Sequence, residues 1–484
     1  MRVTISVFFL LCFEIISAQE YGIQWLLGYN ESVLDFRNDT LINYPIGAFM
    51  PIFLTNANIC DSSGNLLYYT NGIYIAGKNG VALKNGDSLS PCTHSDDNRC
   101  CGLDIPQGVL FLPMPGNSRY YYLFHMSDDT FGGYRPGTLY YSIIDEQGNG
   151  GKGAVIEKNT IYYKGIFKDG GMTACKHANG RDWWIVMSDL NDTYYKFLLT
   201  PNGIADTLVQ SIGPSYKNDV NVPYCKFSRD GSKYVTSVIQ GPILIMDFDR
   251  CSGEFSNPDT LFNEACLPPS SCNGASSIEF SPNGRFLYVT NTLVLNQYDL
   301  SSATPQQDSI AIHIDSDTDV IKTGFLQLAP NGKLYASCYN GGYYFIHAVN
   351  SPDLKGDSCI YVDTAFTTLT AASNNFPNMV NYNLGSLRGS GCDTIFTDIR
   401  TESQEARLLR VLPNPADKYF YVEMGMQGNY EVDLLNVTGQ IMDKKETRQV
   451  DIFDTGHLAS GVYFLRAIDK TTDKEFTRKV VVQH

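Results

Sequence analysis

Charge is scarce in this 484-residue sequence, where only 18% of residues are Asp, Glu, Lys or Arg. Tryptophan occurs three times and histidine seven times. Beyond the first residues no apolar run reaches the roughly 20 residues that a membrane-spanning helix requires. Basic runs are missing too, and 36 Lys+Arg against 51 Asp+Glu leave a net charge of −15, which argues against nucleic acid or anionic lipid as a partner. From Arg407 onward the charges balance at 11 against 11, so the acidity belongs to the preceding residues. Its plain meaning is solubility. H-E-x-x-H, G-x-S-x-G, the P-loop and a G-x-G-x-x-G after a strand are all lacking, so no metal, no cofactor and no catalytic residue is expected.

What is present points to export and to β-structure. MRVTISVFFLLCFEIISAQE carries one cation, Arg2, an apolar run from Val3 to Phe13, and small Ala18 before Gln19. That is the pattern of a secretory signal peptide, residues 1–18, cut between Ala18 and Gln19. Bulky Leu11 beside Cys12 disfavours a lipoprotein signal. The remaining length suits two domains, and 31 Tyr, 26 Phe and 42 Gly suit strands joined by tight turns. Thirteen cysteines become twelve once Cys12 leaves, an even number that reads as disulfides in an exported chain. The sets Cys92/Cys100/Cys101, Cys251/Cys266/Cys272 and Cys338/Cys359 are spaced to close short rings. Zinc at Cys100, Cys101 and His94 is the rival reading, without a C-x-x-C pair behind it.

Six segments share one plan: DSSGNLLYYT, MPGNSRYYYLF, HANGRDWWIV, SRDGSKYVTS, SPNGRFLYVT and APNGKLYASC, with glycines at 64, 116, 180, 231, 284 and 332. Each sets a turn residue tolerant of positive φ before an aromatic or β-branched strand. Further strands follow, as in TLYYSIID (138–145), PILIMDFD (242–249) and VLNQYDLS (294–301). A period near fifty holding about four short strands is that of a propeller blade. Residues 21–59 and 366–382 add strand-like runs, so seven blades are expected, closed by pairing an N-terminal strand with C-terminal ones; an array of two-sheet sandwiches is the alternative.

In their order, ICDSSGNLLYYTNG, LFLPMPGNSRYYYLF, CKFSRDGSKYV, SIEFSPNGRFLYVT, NQYDLSS and LQLAPNGKLYAS resemble the propeller domain common in secreted, multidomain surface proteins of gliding and related Gram-negative bacteria. The resemblance assigns residues 19–388 to a WD-like β-propeller and implies no enzyme. Candidate chemistry within it is sparse. DSDTD (315–319) starts like a calcium loop, but Val320 replaces the required Gly and Leu326 the closing Glu, so it reads as a solvated turn. His125 with Asp128 and Asp129, and His177, fall near strand ends, yet nothing gathers nucleophile, base and orienting group. Of Trp183, Trp184, Tyr120, Tyr121 and Tyr122, strand alternation sends about half to the core and leaves the others for stacking on sugars. Two functions stand: a monomeric, noncatalytic surface module binding glycan or protein, and a polysaccharide-degrading propeller hydrolase or lyase. The missing chemistry favours the first.

Asp followed by Ser or Thr and an aliphatic or Ala residue recurs, with Thr40, Ser88, Thr207, Thr260, Ser309, Thr364 and Thr394 as the hydroxyl residues. This is similar to the acceptor motif for O-glycosylation of exported proteins in the same bacterial group. Its plain meaning is Asp ending a turn before a β-branched strand residue.

Residues 389–407, polar and without alternation, read as a linker. Beyond them EVDLL, GVYFLRA and RKVVVQ are strands and NVTGQ is a turn, while Pro413 and Pro415 make a rigid, non-ladder entry to the first strand. The ordered set PNPA, NVTGQ, HLASGVYFLRA and RKVVVQ resembles the C-terminal sorting domain of the type IX secretion system in its type A form, over residues 408–484. The resemblance implies a small immunoglobulin-like β-sandwich recognised through Pro413, Asn414, Pro415, Gly439, Leu458, Gly461, Tyr463 and Lys479. Its partners would be the secretion machinery and a sortase that removes the domain and often joins the cargo to surface lipopolysaccharide, leaving the protein at the cell surface or in the medium.

Overall fold

The computed structural model describes residues 20–393 and 409–484, apart from 29–31, 39–40, 46–49, 53, 129–136, 190, 216–222, 239–242, 262–276, 291–293, 316–321, 340–342, 372–375, 413–415, 425–427, 438 and 472–473. The chain is all-β and divides into two compact units, Met1–Thr394 and Ile395–His484, each with its own apolar core.

Among the described residues the first unit holds seven antiparallel sheets, each made of consecutive strands. Sheets one and two have three strands and the other five have four. Their first strands are Gln24–Leu27, Ala57–Cys60, Val109–Pro113, Thr173–Lys176, Pro223–Phe227, Ser277–Phe280 and Lys322–Leu328. In sheets two to seven the turn after this strand carries one of the six repeat glycines, and all six adopt positive φ, between 71° and 82°. There a side chain would be strained; at Gly231 it would also meet Cys175 Sγ at 2.6 Å. The quoted strand TLYYSIID is the third strand of its sheet, Thr138–Asp145.

Neighbouring sheets bury apolar residues against each other. Val235 and Ile245 of sheet five pack with Ile278 and Leu287 of sheet six, and Phe286 and Tyr288 with Leu326 and Ala336 of sheet seven. Sheet seven returns to sheet one, where the Trp25 ring lies edge-on to Tyr335 at 6.2 Å.

The expected pairing of N- and C-terminal strands takes a different form. Sheet one consists of Gln24–Leu27, Ser32–Asp35 and Ile42–Pro45, and residues 376–387 lie beside it as a strap outside any strand. Phe376 meets Trp25 at 5.3 Å and Tyr382 meets Tyr21 at 5.8 Å. Pro377, which has no N–H, is unfit for a ladder position. The strap is held instead by side chains: Asn378 Nδ2 donates to Val109 O and Met172 O, both at 2.9 Å, and the Tyr382 hydroxyl to Phe111 O at 2.9 Å. Buried Arg250 donates to Lys176 O, His177 O and Gly385 O. Just beyond, Cys392 is bonded to Cys251.

That disulfide, spanning 141 residues, corrects the short-ring reading. Cys100 bonds its neighbour Cys101, while Cys60, Cys92, Cys175, Cys225, Cys338 and Cys359 are free. Five of these six are buried, and Cys175, Cys225 and Cys359 join apolar clusters as small, largely apolar residues. Cys266 and Cys272 lie outside the described residues.

The second unit has a three-stranded sheet (Leu409–Leu412, Tyr419–Met424, Val450–Asp454) and a four-stranded sheet (Ile441–Thr447, Tyr430–Leu435, Gly461–Asp469, Lys474–Val482). Phe420, Val422 and Phe453 of one meet Val432, Leu434, Leu465 and Val480 of the other in a common core. A strand, Leu409–Leu412, precedes the prolines and pairs with Tyr419–Met424, so Pro413 and Pro415 follow the first strand and do not lead into it.

Candidate functional site: the central cavity of the first unit

Aligned on their turn glycines, the six repeats place Ile59, Phe111, Cys175, Lys226, Glu279 and Gln327 five residues before the turn. Three successive sheets thus offer apolar or weakly polar groups and the next three offer Lys, Glu and Gln. The strap lies against the inner strands of sheets three and four. On the other side a cavity of about 360 Å³ stays open, lined by Trp25, Thr173, Phe280 and strap residues Met379 and Asn383, with Lys226, Glu279 and Gln327 in its wall.

The three polar side chains form one arc. Lys226 Nζ donates to Gln327 Oε1 at 2.6 Å and pairs with Glu279 Oε2 at 3.2 Å. Glu279 also accepts Phe280 N and Leu328 N, each at 3.1 Å. Burial opposes the lysine's charge, but Glu279 and the Tyr224 phenol beside it outweigh that, and Lys226 is held above its ordinary value. The carboxylate is therefore engaged as an ion-pair partner, an arrangement suited to holding a ligand rather than moving its protons. At the mouth stand Glu20, Arg229 and Asn383.

None of the residues singled out in the sequence for chemistry lines this cavity. His125 is fully buried in its strand, bonded to Ser90 Oγ at 2.8 Å and Ser142 Oγ at 3.0 Å, and burial pushes it down to about 3. His177 Nε2 is 3.0 Å from Cys251 O. Asp315 pairs with His313 at 3.1 Å and accepts Thr323 N; Asp129 and residues 316–319 lie outside the described residues. His94 pairs with Asp104 at 2.7 Å. Trp183, Trp184, Tyr121 and Tyr122 are all buried, more than alternation predicts, because both faces of a strand inside stacked sheets are covered. The polar arc itself went unread; alignment on the glycines would have found it.

Of the hydroxyl residues in the Asp-Ser/Thr pattern, Ser88, Thr207, Ser309 and Thr364 are exposed and Thr260 is half-buried. Thr207, Thr260 and Thr364 lie on the outermost strand of their sheets, and Ser309 just before one. Thr40 and Thr394 lie outside the described residues, as do Ala18, Gln19, Pro413, Asn414 and Pro415. In the second unit Gly439 turns at φ 83°, Leu458 and Tyr463 are buried, the Tyr463 hydroxyl donates to Ala459 O at 2.9 Å, Gly461 opens its strand, and Lys479 pairs in register with Phe464.

Residues 410–483 match the secretion system C-terminal sorting domain. No curated protein matches the chain. Among solved structures it is similar to PorZ of Porphyromonas gingivalis, an essential bacterial surface component of the type-IX secretion system (12% identity, TM-score 0.35, 94% of this chain). It spans 63% of that PorZ chain. It is also similar to a putative 6-phosphogluconolactonase from Bacteroides fragilis (14% identity, TM-score 0.46, 73% of this chain and 98% of that one), and to the β-propeller domain of Myceliophteria thermophila Cps50 (10% identity, TM-score 0.31, 78% and 96%). At those scores the likenesses transfer no activity. The sorting domain at residues 410–483 makes the chain a secreted, cell-surface protein.

Proposed function

We propose that residues 19–388 form a seven-bladed propeller that binds a glycan or protein ligand at its central cavity without catalysis. Residues 408–484 act as a type A sorting domain, an immunoglobulin-like sandwich reached through the linker 389–407. Seven successive sheets, whose first strands lie beside the next from sheet one to three and from four to seven, with a return from sheet seven to sheet one, support the propeller; two sheets with a common core support the sandwich. The observation that carries the binding reading is the arc Lys226–Glu279–Gln327, whose carboxylate is already neutralised. That same pairing speaks against the hydrolase or lyase.

In this reading Pro413, Asn414, Pro415, Gly439, Leu458, Gly461, Tyr463 and Lys479 specify recognition by the secretion machinery, and the exposed Asp-Ser/Thr residues take O-glycans. One experiment covers both halves. The mature chain is passed over immobilised polysaccharides and scored for retention and for new reducing ends, while a chain truncated at Arg407 is followed in the cell. Retention without reducing ends, and a truncated protein trapped in the periplasm, are expected. New reducing ends, or wild-type surface levels of the truncated chain, would defeat the respective half.

A further inference from the structure

Resting on the reading of the central cavity as the ligand site, we infer that its ligand is an N-acetylated amino sugar held through the acetamide carbonyl. Lys226 has no acceptor, so its 2.6 Å bond fixes Gln327 with Oε1 toward it and the amide nitrogen away. Gln327 is only 4% exposed, lines the cavity, and among the described residues its Nε2 has no bonded partner. Its donors face the cavity, where an entering acceptor can take them. Lys226 is already engaged by Gln327, Glu279 and the Tyr224 ring, so the donors left for a ligand are those of the Gln327 amide. The arc therefore asks its ligand for an acceptor.

Charge decides which acceptor. Glu279 cancels Lys226, so a carboxylate would enter as an unpaired buried anion, whereas a neutral carbonyl oxygen takes the donors without that cost. Apolar walls at Trp25, Phe280 and Met379 receive the acetyl methyl and a ring face. At the mouth Glu20, Arg229 and Asn383 supply acceptors and donors together, as sugar hydroxyls require. The volume of about 360 Å³ lies at the small end of ligand pockets, which fits a single sugar better than a chain.

Calorimetric titration of the full mature chain with N-acetylglucosamine, glucose, glucuronate and N-acetylglycinamide tests this. N-acetylglucosamine should bind about tenfold or more tighter than the other three. Gln327→Glu, which keeps a partner for Lys226 but removes the donors, should lose about tenfold or more of that affinity; Gln327→Leu should do the same, with unchanged tryptophan emission showing the fold intact. Glucose binding as tightly as N-acetylglucosamine overturns the inference and leaves the cavity a glycan site. Preference for glucuronate or for the acetylated peptide amide overturns it as well, as does undiminished binding by a folded Gln327 variant. Failure of all four ligands, and of polysaccharide retention, takes the cavity reading down with it.

Discussion

Acid should weaken the first unit before it protonates the ion-paired carboxylates, and His125 is a main reason. Its imidazole is enclosed between Ser90 and Ser142, where burial lowers it from 6.5 to about 3. The unfolded chain therefore takes up the proton first. Stability from this residue is fully present above pH 6.5 and is lost as pH falls toward 3. Each pH unit in that window costs about 1.4 kcal/mol, so going from pH 7.5 to 4.5 removes roughly 2 to 3 kcal/mol, a sizeable share of a domain's stability. Buried His347, also lowered by desolvation, adds in the same direction. The ion-paired carboxylates Asp35 and Asp299, lowered against burial by Arg37 and directly by Arg285 respectively, begin to matter only below their ordinary 3.8. The assay is urea unfolding by tryptophan fluorescence, since Trp25, Trp183 and Trp184 all belong to the first unit and the second is silent. His125→Gln, which retains amide groups for the two serines, should cut the loss over this pH range by more than half. An equal loss in wild type and variant would refute the assignment.

Arg250→Met removes the donors to Lys176 O, His177 O, Asp230 O and Gly385 O from a buried site and should cost roughly 3 kcal/mol, read in the same urea titration. Cys251→Ser opens a 141-residue bridge and should cost up to about 5 kcal/mol by the chain-entropy relation, whereas Cys100→Ser, which opens a bridge between neighbours, should leave the midpoint nearly unmoved. Alkylation in denaturant without reductant should find thiols at Cys60, Cys92, Cys175, Cys225, Cys338 and Cys359; among these six, without denaturant, half-exposed Cys92 alone should react, and prompt labelling of Cys225 would contradict the packing.

What the sequence disclosed, it disclosed through local chemistry. A glycine after Asn or Asp declares its turn wherever it stands, so Gly180, Gly231 and Gly332 mark the same joint in three sheets. Strands such as Thr138–Asp145 follow from the same kind of short-range preference. Distance defeated the reading elsewhere. Cys251 and Cys392 are close only because the strap ends beside sheet five, and nearby cysteines looked better partners by spacing alone. Lys226, Glu279 and Gln327 sit about fifty residues apart, each unremarkable in its own strand; only stacking three sheets around one centre makes them a group. A histidine in a strand, such as His125, likewise gives no sign of whether the next sheet covers it.

The bond between Cys392 and Cys251 also settles where the first unit bears load. A pull on the chain beyond Cys392 reaches the folded unit there and passes through sulfur into the turn of sheet five. Residues 376–387, upstream of that point, share the load with the cross-link and do not carry it alone. The strap beside the cavity is thus spared part of any such pull, which the disulfide shares out to the turn of sheet five.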